Sequence, residues 1–284
     1  MNWTLSSSLD EFRTHAGDFL AAHPAGNTVL LTLVHNLTLS GPHVFGEADP
    51  WFGWWRPAPD APVAGAFCRT PPFPLRLSTM PPEAAAELAT ALGADRREVL
   101  AVGGETVAAR AFAEAWERET GVGSSVNSNE RLYRLGDLTD PSPLPKGSVR
   151  LATPDEADLL TDWFAAFVAE AEVGIPGENH RPTVERRIAR GHLHVWEHQG
   201  EVVSFAGVSD VLAGMSRIGP VYTPPQHRGH GYASGVVAAG SAHALAAGAA
   251  EVLLYTDLAN PTSNSIYQKL GYRPVEDCVS IDFA

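Results

Sequence analysis

The chain of 284 residues carries 20 basic and 33 acidic side chains, a formal charge of -13, which excludes general attraction to nucleic acid or to an anionic membrane. Its hydrophobic content of 44% and a length suited to two ordinary domains exclude intrinsic disorder. The longest apolar run, Gly235 to Ala250, is broken by Ser241 and His243 and falls short of the ~20 apolar residues of a membrane span.

Read in chain order, the hydrophobic periods predict a helix at Leu9 to Ala22 and a strand at Thr28 to Leu37. Extended runs follow at Phe52 to Arg56, Val63 to Cys68 and Leu75 to Leu77. Then come a helix Pro82 to Leu92, a strand Glu98 to Val102, a helix Glu105 to Glu119 and a strand Ser125 to Leu135. The segment Asp137 to Gly147 loses all hydrophobic period and holds Pro141, Pro143 and Pro145, which remove amide donors and fix φ. It reads as a linker, 138–147, between domains 1–137 and 148–284.

The second half predicts a strand Ser148 to Ala152 and a helix opening at Thr153, with Pro154, Asp155 and Glu156 in its first turn. A shorter helix follows Pro182, then strands His192 to Glu197, Val202 to Ser209 and Ser216 to Thr223. An Ala/Gly helix from about Gly229 to Ala247, a strand Glu251 to Thr256, a helix Thr262 to Leu270 and a strand Arg273 to Phe283 complete the order βααβββαβαβ. The first half repeats this order more weakly. The N-terminus has no basic region followed by an apolar one, and Cys68 and Cys278 make no metal or disulfide pattern, so a reducing cytoplasm is the expected compartment.

The chemistry concentrates in Arg217 to Ala233, RIGPVYTPPQHRGHGYA, where a strand passes to a helix through a loop with Gly229 and Gly231. Glycines let the backbone approach an anion, and the helix adds unpaired N–H groups and partial positive charge, an arrangement suited to a diphosphate. Arg228, His227 and His230 surround it with cationic or hydrogen-bonding groups. A dinucleotide turn is a competing reading, since Gly229, Gly231 and Ser234 approach its glycine spacing and Glu251 follows about 20 residues on. Pro224 and Pro225 break the strand before the glycines, which counts against it. A phosphate loop of the Lys-Ser/Thr type lacks its lysine. A helix start with glycines for tight packing stays open.

Gln226, Gly229 and Gly231 fit the pattern Q/R-x-x-G-x-G/A, and this segment resembles the acyl-coenzyme A pyrophosphate loop of the GNAT superfamily of N-acyltransferases. Asn260-Pro261-Thr262-Ser263-Asn264-Ser265-Ile266-Tyr267, followed by Leu270-Gly271-Tyr272, resembles that superfamily's next motif at the right separation. The resemblance covers roughly Gly147 to Ala284. Over the first half it rests on element order, because Ser78 to Leu92 holds no G-x-G.

The resemblance implies an α/β (α+β) fold of tandem GNAT-like domains, each a mixed, mostly antiparallel twisted sheet with helices on both faces, the first domain degenerate. It implies acetyl-CoA as acyl donor. The cofactor would bind through Val221, Tyr222 and Thr223 on the strand edge, through Gln226, Arg228, Gly229, His230, Gly231, Tyr232 and Ala233 in the loop, and through Asn260 and Asn264 downstream. Tyr267 stands where the family often places the acid for the leaving thiolate, with packing as its alternative; helix capping is the alternative for Asn260. For the general base the candidates are Glu170, Glu172 and Asp210, with Glu172 preferred because the Gly174 to Gly177 loop beside it would border the acceptor pocket. His192, His194 and His198 read as strand histidines and not as a metal site. Trp51, Trp54 and Trp55 read as core or interface, with an aromatic cation site as the alternative.

The expected function is acetyl transfer from acetyl-CoA to a primary amine, small molecule or peptide, by direct attack on the thioester. No nucleic acid or membrane partner is expected, and a homodimer is compatible with the sequence. A non-catalytic acyl-CoA sensor and an NAD-dependent oxidoreductase are the alternatives.

Overall fold

The computed structural model describes residues 2–172, 174 and 177–284. The elements in chain order are β1 (Trp3–Ser6), α1 (Leu9–Ala22), α2 (Thr28–Ser40), β2 (Trp51–Trp55), β3 (Gly65–Arg69), β4 (Leu75–Leu77), α3 (Pro82–Ala94), β5 (Ala101–Glu105), α4 (Thr106–Thr120) and β6 (Ser124–Leu135). They continue with β7 (Ser148–Leu151), α5 (Ala157–Glu170), α6 (Arg181–Ala189), β8 (Leu193–His198), β9 (Glu201–Val208), β10 (Met215–Tyr222), α7 (Tyr232–Ala246), β11 (Glu251–Asp257), α8 (Pro261–Lys269) and β12 (Tyr272–Phe283). Two compact units result, one of Met1–Arg131 with Glu276–Ala284, the other of Leu132–Val275. Both run strand, two helices, three strands, helix, strand, helix.

In the first unit the strand order is β1-β2-β3-β4-β5-β12, antiparallel throughout except for the parallel pair β4 and β5. Alternation along the strands divides its core. Phe67, Leu75, Leu77 and Val102 pack with α3 and α4, while Phe52, Trp54, Ala66 and Cys68 pack with α1 and α2. Trp54 and Trp55 of β2 are both buried on these opposite faces, and Trp54 stacks on His15 at 4.7 Å, which makes these two core, whereas Trp51 is half-buried with the Arg97 guanidinium 5.3 Å from its ring centre.

The segment Thr28 to Leu37, expected as a strand, lies in the helix α2. Its β-branched residues favour extended chain, but Leu30, Leu33, Val34 and Leu37 recur at helical spacing and all pack on the α1 side of the core. Threonine and asparagine side chains bond back along the helix, with the Thr32 hydroxyl donating to the Thr28 carbonyl at 2.7 Å and the Asn36 amide donating to the Thr32 carbonyl at 2.9 Å. The strand β1 was not anticipated; its Trp3 donates Nε1–H to the Ala84 carbonyl at 2.8 Å.

In the second unit β7-β8-β9-β10-β11 lie side by side, again antiparallel except for one parallel pair, β10 with β11. Helices α5 and α6 cover one face through Leu160, Val184 and Ile188 against Leu193, Phe205 and Tyr222. The other face holds Val208, Ile218 and Leu254 against α7 and Tyr267 of α8. The start of α5 follows from a capping box, in which the Thr153 side chain accepts from the backbone N–H of Glu156 and Glu156 accepts the Thr153 N–H. Arg150 clamps the same carboxylate and that of Glu197.

Small residues bring α7 close to the sheet. A Cβ at Gly235 would stand 2.8 Å from Pro145 Cγ and 3.0 Å from the Trp196 ring, so no larger side chain fits there. The segment 138–147 that reads as a linker packs on this second unit. The Thr139 N–H donates to the Leu270 carbonyl at 3.0 Å, the Trp196 Nε1–H to the Lys146 carbonyl at 2.9 Å, and Pro145 is buried.

Candidate active site

The parallel register of β10 and β11 runs from Met215 opposite Glu251 to Ile218 opposite Leu254. Beyond that pair β10 continues to Tyr222 and β11 to Asp257, with no further partners between them among the described residues. Against β9, β10 shifts register between Ile218 and Val221. Gly219, with φ near +147, and Pro220, which has no N–H, interrupt the ladder where the two strands part. Val221, Tyr222 and Thr223 therefore lie past the last β11 partner, with the Tyr222 carbonyl accepting from Ser204 Oγ at 3.0 Å.

A short turn, Pro225–His227, follows this edge. Gly229 and Gly231 then adopt left-handed conformations, φ near +81 and +79, and Gly231 starts α7 with no side-chain cap among the described residues. The first N–H groups of α7, those of Tyr232 and Ala233 included, thus lack internal acceptors. A Cβ at Gly229 would meet nothing within 4 Å, so its free side is open space. Gln226, Arg228 and His230 are exposed around it. The Tyr232 ring is buried, 5.8 Å from the His198 ring and 5.5 Å from that of His230, so it packs against the loop as well as the core. The equivalent start of α3 in the first unit differs in charge and in chain: Pro81 precedes it, Glu83 occupies its first turn, and the Ala84 and Ala85 N–H groups both donate to the Pro81 carbonyl.

Tyr222, Arg228 and Glu170 meet at the end of β10. The Tyr222 hydroxyl donates to Glu170 Oε1 at 2.8 Å, Arg228 Nη2 donates to Oε2 at 2.6 Å, and Arg228 Nε donates to the Thr223 carbonyl at 2.8 Å. Desolvation pushes the Glu170 pKa up, but the hydrogen bonds from Arg228 and Tyr222 outweigh it and hold the carboxyl below its ordinary value. Such a carboxylate is a weak base. Glu172, the preferred base, is exposed just past α5 with φ near +52, and Ile175 and Pro176 of the expected pocket border lie outside the described residues. Asp210 accepts from or pairs with His192 Nε2 at 2.9 Å. His194 packs on His243 with ring centroids 4.7 Å apart, and burial pushes its pKa down to about 4, so it is neutral at pH 7.

Tyr267 is buried on the α7 face with its ring edge-on to Tyr272 at 6.1 Å. Burial pushes its hydroxyl up to about 12, so it stays protonated at neutral pH. Asn260 caps α8 by accepting the Ser263 N–H at 3.0 Å. Asn264 donates to the Asp257 and Asn260 carbonyls at 2.8 and 2.7 Å, and its Oδ1 accepts from the Tyr133 hydroxyl at 2.9 Å. These bonds lock α8 to the end of β11. Tyr133, which also accepts from Gln268 Nε2 at 3.1 Å, had no pointer in any local motif, because its partners lie far away in sequence.

An opened parallel pair beside an uncapped, glycine-led helix start is the arrangement the two motifs imply, and residues 158–272 match the acetyltransferase (GNAT) family. These residues form a GNAT domain. No curated protein matches the chain in sequence. Among solved structures, a GNAT-family acetyltransferase from Colwellia psychrerythraea is similar over 100% of both chains, at 15% identity and a TM-score of 0.60. A GCN5-related N-acetyltransferase from Sphaerobacter thermophilus is similar over 99% of this chain and 96% of its own, at 16% identity and a TM-score of 0.60. A tandem GNAT protein from the clavulanic acid biosynthesis pathway is similar over 99% and 98%, at 15% identity and a TM-score of 0.54. The whole chain thus has the tandem GNAT fold. No helix among the described residues is long and apolar enough to cross a membrane.

Proposed function

We propose that the GNAT domain binds acetyl-CoA and transfers its acetyl group to a primary amine. The observation that carries this reading is the parting of β10 and β11 after Ile218 and Leu254, directly beside the open left-handed glycines at the start of α7. The Gly229 cradle, open where a Cβ would stand, fits a diphosphate held by backbone N–H groups. Arg228 would add charge to it, and the edge Val221 to Thr223 would align the pantetheine amides. Asn260 and Asn264 would act by fixing the α8 start that borders this cleft.

In the transfer, the amine nitrogen forms a bond to the thioester carbon and the carbon–sulfur bond breaks. A main-chain N–H of Val221 or Thr223 would polarise the carbonyl oxygen. Full proton transfer from a phenol at about 12 to a thiolate of pKa ~8.5 is uphill by several kcal/mol. Tyr267 would therefore donate a hydrogen bond to the departing sulfur, and water would supply the final proton. Glu172 is the proposed acceptor of the ammonium proton, since Glu170 and Asp210 are engaged with Arg228, Tyr222 and His192. The first unit, with Glu83 at the start of α3, would support the fold and bind no second cofactor. Release of free thiol from acetyl-CoA against a panel of primary amines tests the proposal; thiol release that no amine accelerates, with coenzyme A bound, would leave a binding protein instead.

A further inference from the structure

The acceptor has to reach the opening between β10 and β11 from the face that α7 does not cover. That face belongs to α5 and α6, whose Leu160, Val184 and Ile188 pack there with Phe205 and Tyr222. Side chains alternate across a strand, so with Ile218 on the α7 side, Arg217 and Gly219 look toward α6. Arg187, on α6, reaches this spot. Its Nη1 donates to the Gly219 carbonyl at 3.1 Å, and its guanidinium carbon lies 6.0 Å from the centre of the Phe164 ring.

Arg187 keeps its charge at this point. Burial, then the neighbouring Arg217 and Arg186, push the Arg187 pKa down to about 10, which still leaves the side chain charged at pH 7. Glu170, the carboxylate at the end of β10, is held by Tyr222 and Arg228. In a chain of net charge -13, a cationic group set at the mouth of the strand opening runs against the general composition. The guanidinium fork matches a carboxylate in two parallel hydrogen bonds, and among the described residues its carbonyl partner uses one of its five N–H groups.

Resting on the acetyl-transfer reading, we propose that Arg187 is the carboxylate-recognition group of the acceptor site, and that the acceptor is a primary amine bearing a carboxylate, of the amino-acid type. The carboxylate docks on Arg187 and places the amine at the opening beside Gly219. A neutral amine lacks this anchor.

The test compares each of several amino acids with its own carboxamide as acceptor for the full-length protein, in wild type and in Arg187→Met and Arg187→Lys. The quantity read is the acid-to-amide ratio of kcat/KM, divided by the same ratio in wild type, which cancels the different basicities of the two amines. A charged hydrogen-bonded pair predicts a ~10- to 100-fold fall in this double ratio for Arg187→Met, with KM for the acids rising and the amides little changed. Arg187→Lys, which keeps the charge without the fork and remains informative if the methionine variant does not fold, should fall between. A merely structural Arg187 would lower both substrates together and leave the double ratio near one, which would overturn the proposal. Melting of the coenzyme A-loaded protein gives a readout independent of turnover. If no amine is acetylated but amino acids and not their carboxamides raise the melting temperature, and Arg187→Met abolishes that rise, the carboxylate site stands and the acetyl-transfer reading falls. If neither class discriminates, the carboxylate site falls.

Discussion

Replacing Gly229 by valine separates what the loop does for the fold from what it does for a ligand. At φ near +81 an L side chain is strained by about 1–2 kcal/mol, but the new Cβ meets nothing within 4 Å, so no steric cost is added. For a protein of this size that strain lowers Tm by only about 2–8 °C. The binding cost is larger. A phosphate kept from two backbone N–H donors loses two charge-assisted hydrogen bonds, about 3–6 kcal/mol, or ~10² to 10⁴ in affinity. Gly248 provides the control, because it sits past the other end of α7 with φ near +94 and equally open space at its Cβ. Gly248→Val should melt earlier by a similar amount and bind coenzyme A like wild type, at one molecule per chain by calorimetry. A Gly229→Val protein whose Kd lies within ~3-fold of the Gly248→Val value would show that the loop does not hold the diphosphate.

Three further perturbations address the rest of the site and the fold. Tyr267→Phe keeps the ring against Tyr272 and removes the hydroxyl, so turnover should fall about 10-fold or less at unchanged coenzyme A affinity; a change in affinity alone would assign the hydroxyl to structure. Glu170→Gln removes the anion that holds Arg228, and coenzyme A should bind about 2- to 5-fold tighter at low salt with the gain shrinking at high salt; weaker binding would mean that Glu170 serves by positioning Arg228. In the first unit Arg131 grips Asp277 with Nε and Nη2 at 2.6 and 2.9 Å, and this hydrogen bond and charge hold the Asp277 carboxyl below its usual value. A depressed carboxyl stabilises the fold above its unfolded pKa, so the contribution should fade as pH drops below about 4 and through the lowered value. Arg131→Met should flatten that part of the Tm-against-pH curve, and an unchanged curve would dismiss the pair as a source of acid sensitivity.

The second unit was the more legible in sequence because its punctuation and its chemistry coincide. Thr153-Pro154-Asp155-Glu156 specifies a helix start by local bonds alone, and the glycines of the loop are needed where they stand because the backbone there is left-handed. The misread α2 shows the opposite case. Its threonines and valines favour extended chain, and only the packing of Leu30 and Leu37 against α1 and β2 selects a helix. At the site, the capping role of Asn260 could be read from its place before Pro261, whereas the grip of Glu170 on Arg228 spans 58 residues and has no local signature. Arg187 was equally silent, since on its own helix it is one of several arginines, and only the fold brings it to Gly219.

The membership of Glu276–Ala284 in the first unit has a consequence for synthesis. In that unit β12 pairs with β5 from Cys278 opposite Glu105 to Asp282 opposite Ala101, and Phe283 packs on Phe112 and Trp116. A growing chain therefore completes the segment Leu132–Val275 before the unit that began first has its last strand. The earlier-made residues must wait on the ribosome with β5 lacking that partner, while the later-made unit is the first able to close. The usual order of vectorial folding, N-terminal domain first, is inverted by one strand.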